Sequence, residues 1–142
     1  MVRVLSSTAR RWPRQRETLL MLTNDEYNAF CATLPATTHV VQWRGAHVWK
    51  VGGKVFTIGG WTNTQAPFIT FKCTPIAFEM LQEEPGLRPA PYLAPRGGKW
   101  IQMYGEPGLS NEDMQLYLTA SHKLVVAKLT KKLRTELKLE DI

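Results

Sequence analysis

The stretch HVVQWRGAHVWKVGGKVFTIGGW, residues 39–61, decides the fold, because short β-branched and aromatic runs alternate there with glycines. Runs of this kind are typical of antiparallel strands joined by tight turns. The same composition and alternation recur later in the chain. We predict five strands, near residues 38–43, 46–51, 54–58, 67–73 and 99–104.

Three amphipathic helices are predicted around these strands, at residues 23–35, 74–84 and 110–129. Each begins at a Thr or Ser whose hydroxyl can accept a backbone N–H bond of the first turn. The residues predicted to face inward in the second helix are Ile76, Ala77, Met80 and Leu81. The charged tail from residue 130 either adds a short helix or frays. This order predicts an α+β fold, an antiparallel sheet of about five strands with helices on one face. The other face is expected to be partly solvated or covered by a partner.

The charge distribution predicts a single domain at residues 21–142, preceded by a basic extension at residues 1–20. The chain has 142 residues and a net charge of +6. Five arginines and one glutamate place +4 of that charge in the extension. We expect the extension to be disordered, with a targeting peptide or a nucleic-acid-binding arm as alternatives. No apolar run is long enough to span a membrane. Cys31 and Cys73 lack metal-type spacing, so a reduced cytoplasmic protein is expected, with a monomer favoured.

Motifs of the common enzyme and cofactor sites are missing from the sequence. Neither GGK triplet is followed by the Ser or Thr of a phosphate-binding loop, and there is no GxSxG turn. His39 and His47 can approach each other across a hairpin, but without a nearby Cys, Asp or Glu they make a poor metal site. Ser121 and His122 are helix neighbours that point about 100° apart, so they cannot pair as nucleophile and base. We therefore predict no enzymatic activity, no cofactor and no metal site.

The segment EEPGLRPAPYLAPRGGKW, residues 83–100, contains four prolines and three glycines. A loop this long in a small domain is usually either functional or disordered. Pro89 and Pro91 fix φ and hold RPAPY extended. We therefore predict an ordered loop that packs over the sheet edge, with Tyr92 and Trp100 as anchors.

This loop resembles the epGirPAPYlar…W segment of the YjbR/MmcQ family of small bacterial proteins. Four other segments resemble motifs of that family in the same order: ATLPATTHVVQW, VWKVGGKVFTI, ITFKCTPIAFEML and TASHKLVVAKLTKKLR. Together they cover roughly residues 23–135 and omit the basic extension. Two positions depart from the family pattern, since His122 takes the place of its usual tyrosine and Thr130 that of its proline.

The resemblance implies a frataxin-like (CyaY-like) fold and a DNA-binding function. The fold agrees with the order of elements read from the sequence. An iron-binding role by analogy with frataxin is disfavoured, because such a role needs an acidic surface. The first predicted helix carries only Asp25 and Glu26, and the predicted sheet has almost no acidic residues.

Cationic and aromatic residues of the matched segments form the candidate site for DNA or another polyanion. Ammonium and guanidinium groups contact phosphates, and aromatic rings stack on exposed bases. The candidate nucleic-acid-binding residues are Lys50, Lys54, Lys72, Arg88, Tyr92, Lys99 and Trp100. For each lysine the alternative is an ordinary solvated position. The alternative function is a small-molecule or peptide-binding module whose groove is walled by the Arg88–Trp100 loop.

Overall fold

The structure, a computed structural model, describes residues 22–43, 45–60, 68–91 and 99–142. These residues form a six-stranded antiparallel sheet in the order β1-β2-β3-β4-β6-β5, together with four helices. The strands are β1 (Thr37–Gln42), β2 (Ala46–Val51), β3 (Lys54–Gly59), β4 (Ile69–Lys72), β5 (Leu87–Pro89) and β6 (Trp100–Met103). The helices are α1 (Asn24–Thr33), α2 (Pro75–Leu81), α3 (Asn111–Val126) and α4 (Lys131–Glu136). The predicted α+β class is confirmed.

The sheet contains one strand more than the five predicted. The additional strand, β5, lies inside the Pro-rich segment and pairs with β6, with Arg88 opposite Gln102. It is an edge strand, and edge strands tolerate proline because one side of their backbone needs no sheet partner. The N-terminal part of the long loop is therefore an ordered strand, while residues 92–98 lie outside the described residues.

Strand β3 carries an irregularity that turns two consecutive side chains toward the helices. The pairing register between β2 and β3 shifts at Trp49/Lys50. On β3, the ring of Phe56 meets the imidazole of His122 edge-on. The neighbouring hydroxyl of Thr57 accepts a hydrogen bond from the Tyr27 hydroxyl. A β-bulge has this effect, because two residues of one strand then oppose a single residue of its partner.

The helices begin where the capping residues of the sequence predict. Thr23 and Glu26 form a reciprocal capping box at the start of α1. The hydroxyl of Thr74 caps α2, and that of Ser110 caps α3. The side-chain oxygens thus accept hydrogen bonds from backbone N–H groups that have no partner within the helix.

One face of the sheet, here called the helix face, holds the main core. Tyr27 and Cys31 of α1 and Met114 and Leu118 of α3 are fully buried against it. The opposite face carries a smaller buried cluster, formed by Ala46, Val48 and Ile58 with Val55 packed beside it. Among the described residues, no helix is long and apolar enough to cross a membrane.

The predicted inner face of α2 is wrong at two of its four positions. Ile76 is 75% exposed and Met80 is 64% exposed, whereas Leu81 is buried and Ala77 is partly buried. The 3.6-residue period is compatible with two stripes on this short helix. The stripe of Ala77 and Leu81, together with Phe78, packs against the core, and the stripe of Ile76 and Met80 is exposed.

Candidate nucleic-acid interface

Most cationic side chains of the described residues lie at one end of the sheet. The β2–β3 turn, the end of β4, the start of β6 and the C-terminus of α3 meet there, and α4 follows α3 after four residues. We call this region the basic end. Its ten cations are Lys50, Lys54, Lys72, Lys99, Lys123, Lys128, Lys131, Lys132, Arg134 and Lys138. Its three carboxylates are Glu136, Glu140 and Asp141.

Carboxylates dominate the other end of the sheet, the acidic end. The start of α1, the start of α3, the C-terminus of α2 and the residues following β6 meet there. Its seven carboxylates are Asp25, Glu26, Glu83, Glu84, Glu106, Glu112 and Asp113, and Glu79 lies on α2 between the two ends. The mild net charge of the domain therefore conceals a strong separation of charge along the strands.

Helix dipoles account for part of this separation. Glu112 and Asp113 occupy the positive first turn of α3, and Lys123 occupies its negative last turn. The first turn of α4 is different, because Lys131 and Lys132 place positive charge where the helix dipole opposes it. Interaction with the helix dipole therefore does not explain why lysines occupy these two positions of α4.

The β2–β3 turn and the α3–α4 connection are packed together at the basic end. Gly52 adopts a φ of +61°, and a Cβ added there would come 2.7 Å from the side chain of Leu129. This close approach places the turn that leads into Lys54 against the segment containing Lys128. Lys54 and the cations that follow α3 therefore lie at the same end of the sheet.

Three predicted site residues come together on the face of the sheet opposite the helices. Lys50 lies opposite Val55, and Lys72 lies opposite Trp100. The Nζ atom of Lys72 is 5.8 Å from the centre of the Trp100 ring, within the range of a cation–π interaction. Lys50 and Lys72 are two strands apart, a separation of about 10 Å at the usual strand spacing. Lys50, Lys72 and Trp100 therefore form a short row of two cations and one aromatic ring on this face.

Two other predicted lysines lie at the same end of the sheet but on the helix side. Lys99 precedes β6, and its Nζ atom is 5.0 Å from the centre of the Phe78 ring on α2. Lys54 is two residues from the inward-facing Phe56, so strand alternation directs it to the helix side, where it is exposed. The predicted cluster is therefore divided between two faces of one end. Among the described residues, no ion pair joins any of these lysines to a carboxylate.

Arg88 is placed apart from the lysines. Its Nε and Nη2 atoms both donate to Oε1 of Gln102, at 2.8 and 2.6 Å. Its guanidinium lies 4.7 Å from the centre of the Tyr104 ring, so it is directed toward the acidic end. Gln102 is buried and donates in turn to the hydroxyl of Thr70 at 3.3 Å. The remaining predicted site residue, Tyr92, lies outside the described residues.

Ser121 and His122 have structural roles in α3. The buried hydroxyl of Ser121 contacts the carbonyl oxygens of Lys72 and Tyr117. Its contact with Lys72 fixes α3 to the end of β4, where the Lys72–Trp100 pair is presented. The Nε2 atom of His122 donates to the carbonyl oxygen of Pro35 at 2.8 Å. Burial lowers the pKa of His122, since charging the imidazole there is costly.

His39 and His47 approach each other as predicted. Nε2 of His39 is 3.0 Å from Nδ1 of His47, and the two rings are stacked. Burial and the charge of His47 both lower the pKa of His39. No group of three or more His, Cys, Asp or Glu side chains suited to a metal ion occurs among the described residues.

The cations of α3 and α4 are absent from the predicted site. The sequence does show them, in AKLTKKLR and its flanking lysines, but their spacing reads as an ordinary solvated helix surface. Tertiary contacts such as the packing of Leu129 against the β2–β3 turn bring them to the same end as the hairpin lysines. These cations are visible in the sequence, but their position beside the hairpin follows from the tertiary structure.

The fold has counterparts among solved structures. A crystal structure of the Deinococcus radiodurans protein DR2400, described as a DUF419 domain, superposes with a TM-score of 0.74 at 23% identity, over 85% of this chain and 91% of that protein. A Pseudomonas syringae protein superposes with a TM-score of 0.58 at 15% identity, over 72% of this chain and 98% of the other. No functionally curated protein matches the sequence. The sequence model of the YjbR family matches residues 32–124, which is more than half of the chain. The chain belongs to the YjbR family.

Proposed function

We propose that this protein binds nucleic acid, with DNA as the expected target, through its basic end. The observation that carries the proposal is the collection of ten cations against three carboxylates at that end. Binding that neutralises phosphates releases condensed counterions, and this release supplies most of the non-specific affinity. The lysines in the first turn of α4 support a functional reading, because their charge opposes the helix dipole.

The Lys72–Trp100 pair is the proposed centre of contact. Its ammonium group suits a backbone phosphate, and the indole ring offers a surface on which an exposed base can stack. Lys50, on the same face, and Lys54 and Lys99, on the helix side, extend the cationic surface around the end of the sheet. Arg88 is a secondary contact, since two of its donor atoms are already occupied by Gln102.

The test is the salt dependence of DNA binding by the full chain, measured by fluorescence anisotropy with duplex and single-stranded oligonucleotides. The basic-end variant replaces Lys72, Lys131 and Lys132 by Gln. Each lost phosphate contact should reduce the slope of log K against log salt concentration by about 0.9 for duplex and about 0.7 for single strands. Three lost contacts would reduce the duplex slope by roughly 3.

A matched variant separates the domain from the basic extension. It replaces Arg10, Arg11 and Arg14 by Gln and so removes the same charge from residues 1–20. The proposal requires the basic-end variant to lose more affinity than this control. It is refuted by undetectable binding at about 50 mM salt, or by a basic-end variant that binds like the wild-type protein.

A further inference from the structure

The helix layer exposes an apolar patch that the proposed DNA contact does not use. Ile76 and Met80 of α2 and Leu116 of α3 are 75%, 64% and 68% exposed. Met80 and Leu116 line a groove of about 450 Å³ between the two helices. Its other apolar lining residues are Leu81, Leu87, Leu109 and Tyr117. Contiguous exposed apolar surface of this kind is typical of a docking site.

The groove is acidic as well as apolar. Glu84 and Asp113 belong to its lining, and none of its lining residues is cationic. A second groove of about 310 Å³ shares Leu116 and adds Glu112. An occupant that suits both grooves must combine cationic groups with apolar anchors, as in the binding of a basic amphipathic segment.

The chain itself supplies a segment with this chemistry. Residues 1–20 contain five arginines against one glutamate, and they include Trp12, Leu19 and Leu20 as apolar residues. The segment joins the domain at the buried Leu22, just before α1 starts at the acidic end. The groove residues Glu84, Gly108 and Asp113 lie at the same end. Twenty residues can span up to about 70 Å, which is ample for reaching the groove.

We propose that residues 1–20 bind in the α2–α3 groove of their own chain. The arginines neutralise the acidic rim, and the apolar side chains cover Met80 and Leu116. This interaction is independent of the proposed DNA contact, which lies at the opposite end of the sheet. It assigns the basic extension a partner within the molecule.

The test is hydrogen–deuterium exchange of the full chain, followed by mass spectrometry of peptides from residues 1–20. Docking should slow exchange of these amides at least about tenfold relative to the unprotected rate. The double substitution M80K/L116K removes the apolar anchors and repels the arginines, so protection should be lost. Both positions are exposed on helices, and lysine is a good helix former. V41K is the control, because Val41 is 52% exposed on β1 and its substitution adds positive charge outside the groove lining.

Four results overturn the proposal. The first is exchange of residues 1–20 at the unprotected rate in the wild-type chain. The second is protection that survives M80K/L116K, and the third is protection that V41K removes equally. Protection that grows with protein concentration would identify a second copy as the occupant and would also reject binding within one chain.

Discussion

Replacing Gly59 by alanine should destabilise the domain through a clash with one buried ring. Gly59 ends β3, and a Cβ built on it lies 2.5, 2.7 and 2.9 Å from Cε2, Cζ and Cδ2 of Tyr27. Ordinary van der Waals contact begins near 3.4 Å, so the ring must move by almost 1 Å. Tyr27 is completely buried, and its hydroxyl bonds the carbonyl of His47 at 3.1 Å and Thr57 Oγ1 at 3.3 Å. The clash therefore acts on the contact that closes α1 onto the sheet.

The expected cost follows from these contacts. Forcing extra volume into a packed core costs about 1–3 kcal/mol. Weakening two hydrogen bonds adds roughly 1 kcal/mol. We expect Gly59→Ala to lower the free energy of unfolding by about 2–4 kcal/mol and the melting temperature by roughly 6–14 °C. Urea denaturation followed by circular dichroism measures the first quantity, and a thermal scan measures the second.

Gly105→Ala is the control for this prediction. A Cβ on Gly105 meets nothing within 4 Å, and its φ is not positive, so this change should be neutral or slightly stabilising. Tyr27→Leu removes the three clashing ring atoms, and Gly59→Ala should cost much less in that background. Equal stabilities of the Gly59→Ala and Gly105→Ala proteins would refute the reasoning.

Three further perturbations test other parts of the structure. Arg88→Ala should lower the free energy of unfolding by about 1–3 kcal/mol, although Arg88 is exposed, because the buried Oε1 of Gln102 loses both of its donors. Chemical denaturation measures this change, and Lys54→Ala is the control that is expected to be nearly neutral. Burial lowers the pKa of His122 below 6.5, so its contribution to stability is complete above that pH and declines as the pH falls below it. His122→Gln should therefore reduce the loss of stability between about pH 7 and pH 5. The remaining pH dependence should include the contribution of His39, whose pKa is also lowered. An unchanged slope of stability against pH would argue against assigning the effect to His122. Burial raises the pKa of Cys73 to about 11, and the charge of Lys99 opposes the rise. A thiol reagent at pH 8 should therefore label Cys73 only as fast as the domain opens. Rapid labelling of the native protein would contradict this.

Local sequence signals predicted most of the secondary structure. The glycines between β-branched runs marked the turns that join β1, β2 and β3. These three strands lie within a residue of their predicted bounds. Thr23, Thr74 and Ser110 marked the starts of three helices, because capping is a short-range interaction between a side chain and its own first turn. These signals need no knowledge of the rest of the fold.

Features that depend on long-range packing were not predictable in the same way. β5 lies in a proline-containing segment with no strand pattern, and it exists because β6 offers it an edge. The rotation of α2 was ambiguous between two stripes, and contact with the sheet selected the one with Leu81. The network that joins Arg88 to Gln102 and Thr70 spans three strands, so no local pattern could reveal it.

The charge separation depends on strand direction more than on composition. In an antiparallel sheet, residues near the end of one strand lie beside residues near the start of the next, so Lys72 and Lys99, 27 positions apart, meet at one end. The net charge of +6 is uninformative about this arrangement, since seven carboxylates are gathered at the opposite end. A polyanion approaching the molecule meets attraction at the basic end and repulsion at the acidic end, which favours one orientation of encounter. The basic extension precedes Leu22 at this acidic end, so the proposed groove site would pair its arginines with opposite charge. The same separation of charge therefore supports both proposals, with the polyanion at one end and the cationic segment at the other.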